Sequence, residues 1–116
     1  MSTLAAQKVR FETLKSLAAA SVVAGYTIVG STFAHPVRIL KVVNDTDGDV
    51  TISYDGVNDQ DFIPANGAFI YDYGSDKSGQ AQNLEQPVGF GVYVKRNGAA
   101  PTVKSVYVVV IYADNS

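Results

Sequence analysis

Short clusters of turn-forming residues divide this chain, from residue 37 onward, into strand-length segments rich in β-branched residues. The clusters lie at 44–49, 55–61, 65–67 and 97–101 and consist largely of Asp, Asn, Gly and Pro. Turn signals at intervals of about eight to twelve residues are typical of a β-sandwich or barrel. The pattern therefore predicts an all-β fold: one antiparallel β-sandwich, jelly-roll or immunoglobulin-like, with about six to eight strands and an N-terminal arm.

Individual segments give more specific predictions. Residues 105–113 (SVYVVVIYA) are almost continuously apolar, which predicts a central strand covered on both faces. Segments 37–43 and 50–54 flank a dense turn, and together they predict a β-hairpin. Residues 88–95 predict a strand broken by glycines, and residues 74–86 predict a long polar loop.

The N-terminal third is harder to interpret. We divide the chain into an arm, 1–12, and a sandwich domain, 13–116. Apolar spacing also permits a short helix at 13–20, whereas 21–29 favours a strand. The apolar stretch 17–29 follows basic residues and loosely resembles an export signal, but polar residues interrupt it and it is too short to cross a bilayer. We expect it to belong to the mature domain.

Composition narrows the functional classes. The net charge is −2 and the pI is about 5.1, which argues against a nucleic-acid partner. The absence of cysteine removes thiolate metal sites and cysteine nucleophiles, and gives no support for a disulfide-stapled extracellular domain. Charged residues make up 17% of the chain, against a usual value of about 25%. A charge-poor surface is easier to bury against a partner, which favours a protein that assembles. We expect no membrane contact.

The acidic cluster at 45–49 is the strongest candidate for a metal site, because calcium takes several carboxylate oxygens. The carboxylates belong to Asp45, Asp47 and Asp49. An EF-hand loop needs glycine sixth and glutamate twelfth, but here glycine falls fourth and Gly56 is twelfth. The residues fit a turn better, so we predict no metal and no cofactor. Further oxygens would require the next loop to converge on this one: Asp55, Asp59 and Asp61.

No catalytic constellation is visible in the sequence. His35 is the only histidine and precedes Pro36, a position biased toward extended backbone. No Gly-x-Ser-x-Gly elbow supplies a nucleophile, so His35 is interpreted as structural. Gly89 and Gly91 are followed by a strand segment, which indicates a bulge or a close backbone approach, not a dinucleotide loop. We expect no enzymatic activity.

Tyrosines on the predicted strands leave a second function open. They form a candidate sugar platform, although half-buried strand tyrosines are commoner and tryptophan is absent. The residues concerned are Tyr54, Tyr71, Tyr73, Tyr93, Tyr107 and Tyr112. The alternative to a structural role is therefore a carbohydrate- or calcium-binding β-sandwich module.

Four stretches carry a family resemblance: 35–38 (HPVR), 41–56 (KVVNDTDGDVTISYDG), 61–67 (DFIPANG) and 105–113. In these stretches the chain resembles small virion structural proteins of tailed bacteriophages. The resemblance implies a β-sandwich at the neck, the head–tail connection, the tail or the capsid surface, often in rings. It implies partners among its own copies and other virion proteins, and carries over no catalytic residue. We therefore expect a virion protein assembled in the host cytoplasm, with the arm touching a neighbouring subunit.

Overall fold

The fold is all-β. The computed structural model describes residues 8–73 and 87–114, so the predicted loop 74–86 lies outside the described residues. A short 3-10 turn, Ala19–Ser21, is the one helical element in these ranges, and no helix there is long and apolar enough to cross a membrane. The strands are β1 Lys8–Phe11, β2 Lys15–Ala18, β3 Thr27–Ile28, β4 Ile39–Asn44, β5 Val50–Ser53, β6 Asp61–Ile63, β7 Ala68–Asp72, β8 Tyr93–Arg96 and β9 Ser105–Asp114.

Two antiparallel sheets form a sandwich, which confirms the predicted fold class. Sheet A has the order β1-β9-β4-β7, with β2 also paired to β9, and sheet B has the order β3-β8-β5-β6. Fully buried side chains from both sheets fill the space between them, including Leu40, Val108, Ile52 and Val94. The nine described strands slightly exceed the expected number because the N-terminal edge of sheet A is split in two.

The winding of the chain is that of a jelly roll. Strands β1 and β2 pair with opposite ends of β9 and together act as one interrupted strand. The remaining pairs are nested: β3 with β8, β4 with β7, and β5 with β6. Consecutive strands therefore mostly lie in opposite sheets, as expected for two interlocked Greek keys rolled into a sandwich.

This winding makes the predicted hairpin between 37–43 and 50–54 wrong. Strand β4 lies in sheet A beside β9 and β7, whereas β5 lies in sheet B beside β6 and β8. The turn residues between them build a corner that carries the chain across the sandwich. Asn44 is fully buried there, and its side-chain amide donates to the carbonyl oxygens of Gly48 and Pro64 at 2.8 and 3.1 Å.

Strand β9 is central, as predicted, but it is covered on one face only by the described residues. Val106, Val108 and Val110 point into the core and are buried. Alternate residues such as Val109 and Ile111 point outward and stay partly exposed. The expectation of a strand covered on both faces is therefore wrong for the described chain.

The N-terminal region also differs from its predictions. Residues 15–18 form strand β2, so the helix at 13–20 is wrong, and pairing with the edge of β9 overrides the helical spacing. Within 21–29, strand structure is confined to β3. Residues 8–11 of the predicted arm pair with β9 of the same chain. Residues 1–7 lie outside the described residues.

Candidate functional site

One face of sheet A points away from the core and is left partly exposed by the described residues. Cross-strand partners share a face, so the register identifies the residues that point away from sheet B. We call this set the outer face: Val9, Phe11, Ser16, Ala18, Ile39, Lys41, Val43, Ala68, Ile70, Asp72, Ser105, Tyr107, Val109, Ile111 and Ala113.

The outer face is mostly apolar. Val9, Phe11 and Ile70 have exposed fractions of 68%, 64% and 63%. Its charges are confined to Lys41, which lies on β4, and Asp72, which lies at the end of β7. A contiguous apolar patch on a sheet marks an interaction surface more often than does a scattering of single hydrophobic residues.

The outer face is also large enough for a specific interface. At roughly 3.3 Å per residue, β9 is about 33 Å long, β4 about 20 Å and β7 about 17 Å, and the interrupted β1–β2 edge runs beside β9. With neighbouring strands about 4.8 Å apart, these lengths give a planar footprint of about 500 Å². Side-chain relief makes the accessible area larger than this footprint. A stable interface buries about 800 Å² on each partner. The outer face therefore supplies a large part of the area that one standard interface needs.

A partly buried polar cluster joins the N-terminal segment to the loop that precedes β4. Glu12 Oε2 accepts hydrogen bonds from the backbone N–H groups of Ala34 and His35 at 3.1 and 2.9 Å, and it lies 2.9 Å from His35 Nδ1. Lys15 Nζ lies 3.3 Å from Glu12 Oε1 and donates to Ser31 Oγ at 3.0 Å. The His35 ring stacks on Tyr112 with centroids 3.6 Å apart.

The electrostatics of this cluster favour an ionised, fully engaged Glu12. Burial of the carboxyl alone would raise its pKa, but hydrogen bonds from His35 and Lys15 outweigh that effect and hold the pKa below its usual value. Glu12 is 6% exposed, so its charge is well sheltered. No hydrogen bond joins Ser31 to His35 in the ranges 8–73 and 87–114. The arrangement acts as a clamp on the 31–35 loop.

The acidic residues of the 44–49 corner do not converge. Asp47 accepts hydrogen bonds from the backbone N–H and hydroxyl of Thr102 at 2.7 and 2.5 Å, which holds its pKa below the usual range. Asp49 accepts from the backbone N–H of Ala65 at 2.9 Å. Across the described ranges, no three His, Asp or Glu side chains lie close enough to hold a metal ion. Asp47 and Asp49 anchor neighbouring loops, and Asp45 joins no carboxylate cluster with them.

The carboxylates of the next loop are likewise engaged. Asp55 accepts from the backbone N–H groups of Val57 and Asn58, which lowers its pKa. Asp59 accepts from the Tyr26 hydroxyl at 2.5 Å and pairs with Lys95 at 3.0 Å. These contacts organise the loop's own backbone and its docking on sheet B.

Two of the candidate tyrosines meet at Asp61 and Tyr73 packs beside one of them, whereas the others lie elsewhere in the sandwich. Tyr54 and Tyr71 donate to the same oxygen of Asp61 at 3.1 and 2.5 Å. The bond to Asp61, with some burial, raises the pKa of Tyr71 to about 12. Tyr107 lies on the outer face and Tyr112 against His35. The rings of Tyr71 and Tyr73 are tilted by 45° to each other, so these two tyrosines do not form a flat platform for a sugar.

The glycines that resemble a phosphate loop lie before β8. A Cβ added at Gly91 would approach the Ile28 side chain at 3.0 Å, so the backbone there passes close to β3. Gly89 has a φ of +94°, a conformation that favours glycine. Both positions serve local backbone geometry.

No family model, curated protein or solved structure matches this chain. Its function must therefore be inferred from its own surfaces. Sequence reasoning missed Glu12, Lys15 and Ser31, because three isolated residues give no spacing signal before the fold brings them together. It also missed the outer face, although the near-continuous apolarity of 105–113 was a signal that both faces of this strand are apolar.

Proposed function

We propose that this chain is a structural protein of a tailed-phage virion that acts by assembling with its own copies and with other virion proteins. The sequence resemblance supports a place in the virion, at the neck, the head–tail connection or the capsid surface. The outer face is the surface through which the chain would assemble. In this proposal the chain assembles in the host cytoplasm and functions in the finished virion.

One observation carries the proposal. Strand β9 is apolar at positions on both faces, yet the described chain covers only the face that carries Val106, Val108 and Val110. A strand whose faces are both covered is typically apolar on both, whereas a strand facing water usually alternates with polar residues. Val109 and Ile111 lie where polar residues would be expected. A partner that covers the outer face accounts for them.

The polar groups favour this role over a binding module for sugar or calcium. Glu12, Asp47, Asp55 and Asp61 all accept hydrogen bonds from groups within the chain. Carboxylates satisfied in this way stabilise loops and are poorly placed to take a new ligand, which would have to displace those donors. These carboxylates are therefore occupied by contacts within the chain, whereas the apolar outer face is left partly exposed by the described residues.

A charge at the centre of the outer face tests the proposal. Val109 lies directly opposite Lys41, so Val109→Glu places a carboxylate where it pairs with that lysine across the strands of the monomer. The variant should fold, but an interface would have to bury the new charge. We expect self-association, followed by sedimentation velocity, to weaken at least tenfold, or about 1.4 kcal/mol.

Val57→Glu is the matched control. Val57 is 77% exposed in the 55–61 loop beside sheet B, and the substitution adds the same charge away from the outer face. It should leave association unchanged. Equal association of the wild-type chain and Val109→Glu, with both folded by circular dichroism, would rule out the outer face as the assembly surface.

A further inference from the structure

Within the described ranges, one edge strand of sheet A, β7, has fewer of the usual protections than the other sheet edges. Natural sheets shield their edges with short strands, proline, charged residues or breaks. In sheet B, β3 has 2 residues and β6 has 3 and stops at Pro64. The opposite edge of sheet A is broken between β1 and β2 and carries Lys8 and Arg10.

The fourth edge, β7, differs from the other three. It has 5 residues, Ala-Phe-Ile-Tyr-Asp, with no proline, lysine or glycine, and its single charged residue, Asp72, lies at its C-terminal end. It pairs with β4 at five consecutive positions without a bulge. Ile70 and Tyr71 on this strand are 63% and 38% exposed. A regular, apolar edge of this kind is a template for another strand.

Two backbone hydrogen bonds show which groups of β7 face outward. Asn44 N–H donates to the Gly67 carbonyl at 2.8 Å, and Tyr73 N–H donates to the Arg38 carbonyl at 2.7 Å. Bonded pairs alternate along an antiparallel ladder, so Phe69 and Tyr71 also bond to β4. The N–H and C=O groups of Ala68 and Ile70 consequently point away from β4, toward the open edge.

We infer that β7 pairs antiparallel with β7 of a second copy of this chain, about a two-fold axis at Ile70. In that register the outward N–H and C=O of each Ile70 bond to those of the other. Phe69 of each copy lies opposite Tyr71 of the second copy, an aromatic cross-strand pair. Asp72 lies opposite Ala68, so no like charges face each other.

The second copy is the occupant that this sequence fits best. In the register centred on Ile70, the outward N–H and C=O groups of β7 and its side chains match those of a second copy. A two-fold contact between identical surfaces requires this self-complementarity. The pairing would join two copies of sheet A into one continuous sheet and extend the outer face across both. The edge pairing identifies the partner as a second copy of the chain. It rests on the proposed function, because that proposal states that the chain self-associates.

A cysteine cross-link tests the register directly, because the chain contains no cysteine of its own. Directly opposed residues in a bonded antiparallel pair have Cα atoms about 5.5 Å apart, which a disulfide spans. Ile70→Cys should therefore form a disulfide-linked dimer under mild oxidation. Ala68→Cys is the matched control, because its two copies would lie on opposite sides of the axis, roughly 13 Å apart along the strand.

We expect Ile70→Cys to cross-link at least tenfold faster than Ala68→Cys, measured by intact mass without reductant. Amide hydrogen exchange in the wild-type chain gives an independent measurement, since protection of the Ile70 N–H should rise with concentration while that of Phe69 stays constant. Equal cross-linking rates, or an Ile70 amide that stays unprotected in an associated sample, would overturn the edge pairing and leave assembly through the outer face intact. A wild-type chain that is monomeric at every concentration would overturn both proposals.

Discussion

The corner between β4 and β5 depends on one buried side chain, Asn44. Its amide nitrogen donates to the carbonyl oxygens of Gly48, Ile63 and Pro64 at 2.8, 3.3 and 3.1 Å. Its amide oxygen accepts from the backbone N–H and the hydroxyl of Thr46 at 3.1 and 2.6 Å. The residue has an exposed fraction of 0%, so water does not replace these partners.

Asn44→Ala should therefore be strongly destabilising. A net hydrogen bond contributes about 1 kcal/mol, and a buried polar group left without a partner costs about 1–3 kcal/mol. Loss of Asn44 removes contacts to four residues and leaves buried groups unsatisfied, although it frees the Thr46 hydroxyl to donate to the Gly48 carbonyl oxygen, 3.1 Å away. We expect a loss of about 3–5 kcal/mol, a large part of the roughly 5–15 kcal/mol that stabilises a domain.

Urea unfolding followed by circular dichroism measures this effect. With a slope of about 2 kcal/mol per molar, the midpoint should fall by roughly 2 M without a change in slope. Asn97→Ala is the matched control, since its side chain makes an exposed bond of 3.1 Å to Thr51 Oγ1, and it should cost under about 1 kcal/mol. If the two variants lose the same stability, Asn44 does not hold the corner.

Three further changes test the polar contacts. Glu12→Gln should cost about 1–2 kcal/mol at neutral pH, because it removes the charge from a partly buried cluster but keeps one acceptor oxygen. The folded-state pKa of Glu12 is lowered, so the stability difference between the wild-type chain and the variant should shrink as pH falls below 4.5, and a difference independent of pH would contradict the clamp. The folded-state pKa of Tyr71 is raised to about 12, so its hydrogen bond stabilises the fold fully below pH 10 and progressively less as pH rises from 10 to 12. Thermal melts should therefore show the wild-type chain losing more stability than Tyr71→Phe over this pH range. Asp47→Ala should lower the melting temperature by the same amount with and without added calcium, whereas a calcium-dependent melting temperature in the wild-type chain would indicate a metal site.

The sequence predicted the fold class because period-two alternation and turn chemistry are local properties. The segments that became β4 and β5 were recognisable on either side of a turn, and the segment that became β9 was recognisable from its continuous β-branched residues. The jelly-roll winding was not visible, since the partner of each strand lies far along the chain. The turn at 44–49 was correctly placed, but a corner and a hairpin use the same residue types, and the burial of Asn44 distinguishes them.

The candidate surfaces were less predictable for the same reason. The clamp joins Glu12 to His35, 23 positions apart, and neither residue lies in a motif. The apolarity of β9 was read as burial on both faces, and only the structure separates the covered Val108 from the partly exposed Val109. The spacing of the acidic residues at 45–49 argued against an EF-hand loop. The contact between Asp47 and Thr102 could not be predicted, because the two residues lie 55 positions apart in the sequence.

Native mass spectrometry at rising concentration, with calcium or neutral glycans added in parallel, tests the central proposal most directly. An assembly protein should form discrete species at multiples of 12.3 kDa that calcium and glycans leave unchanged, and Val109→Glu should shift them toward the monomer. A wild-type chain that stays monomeric at every concentration and binds calcium or a glycan would contradict the account and favour a ligand-binding module.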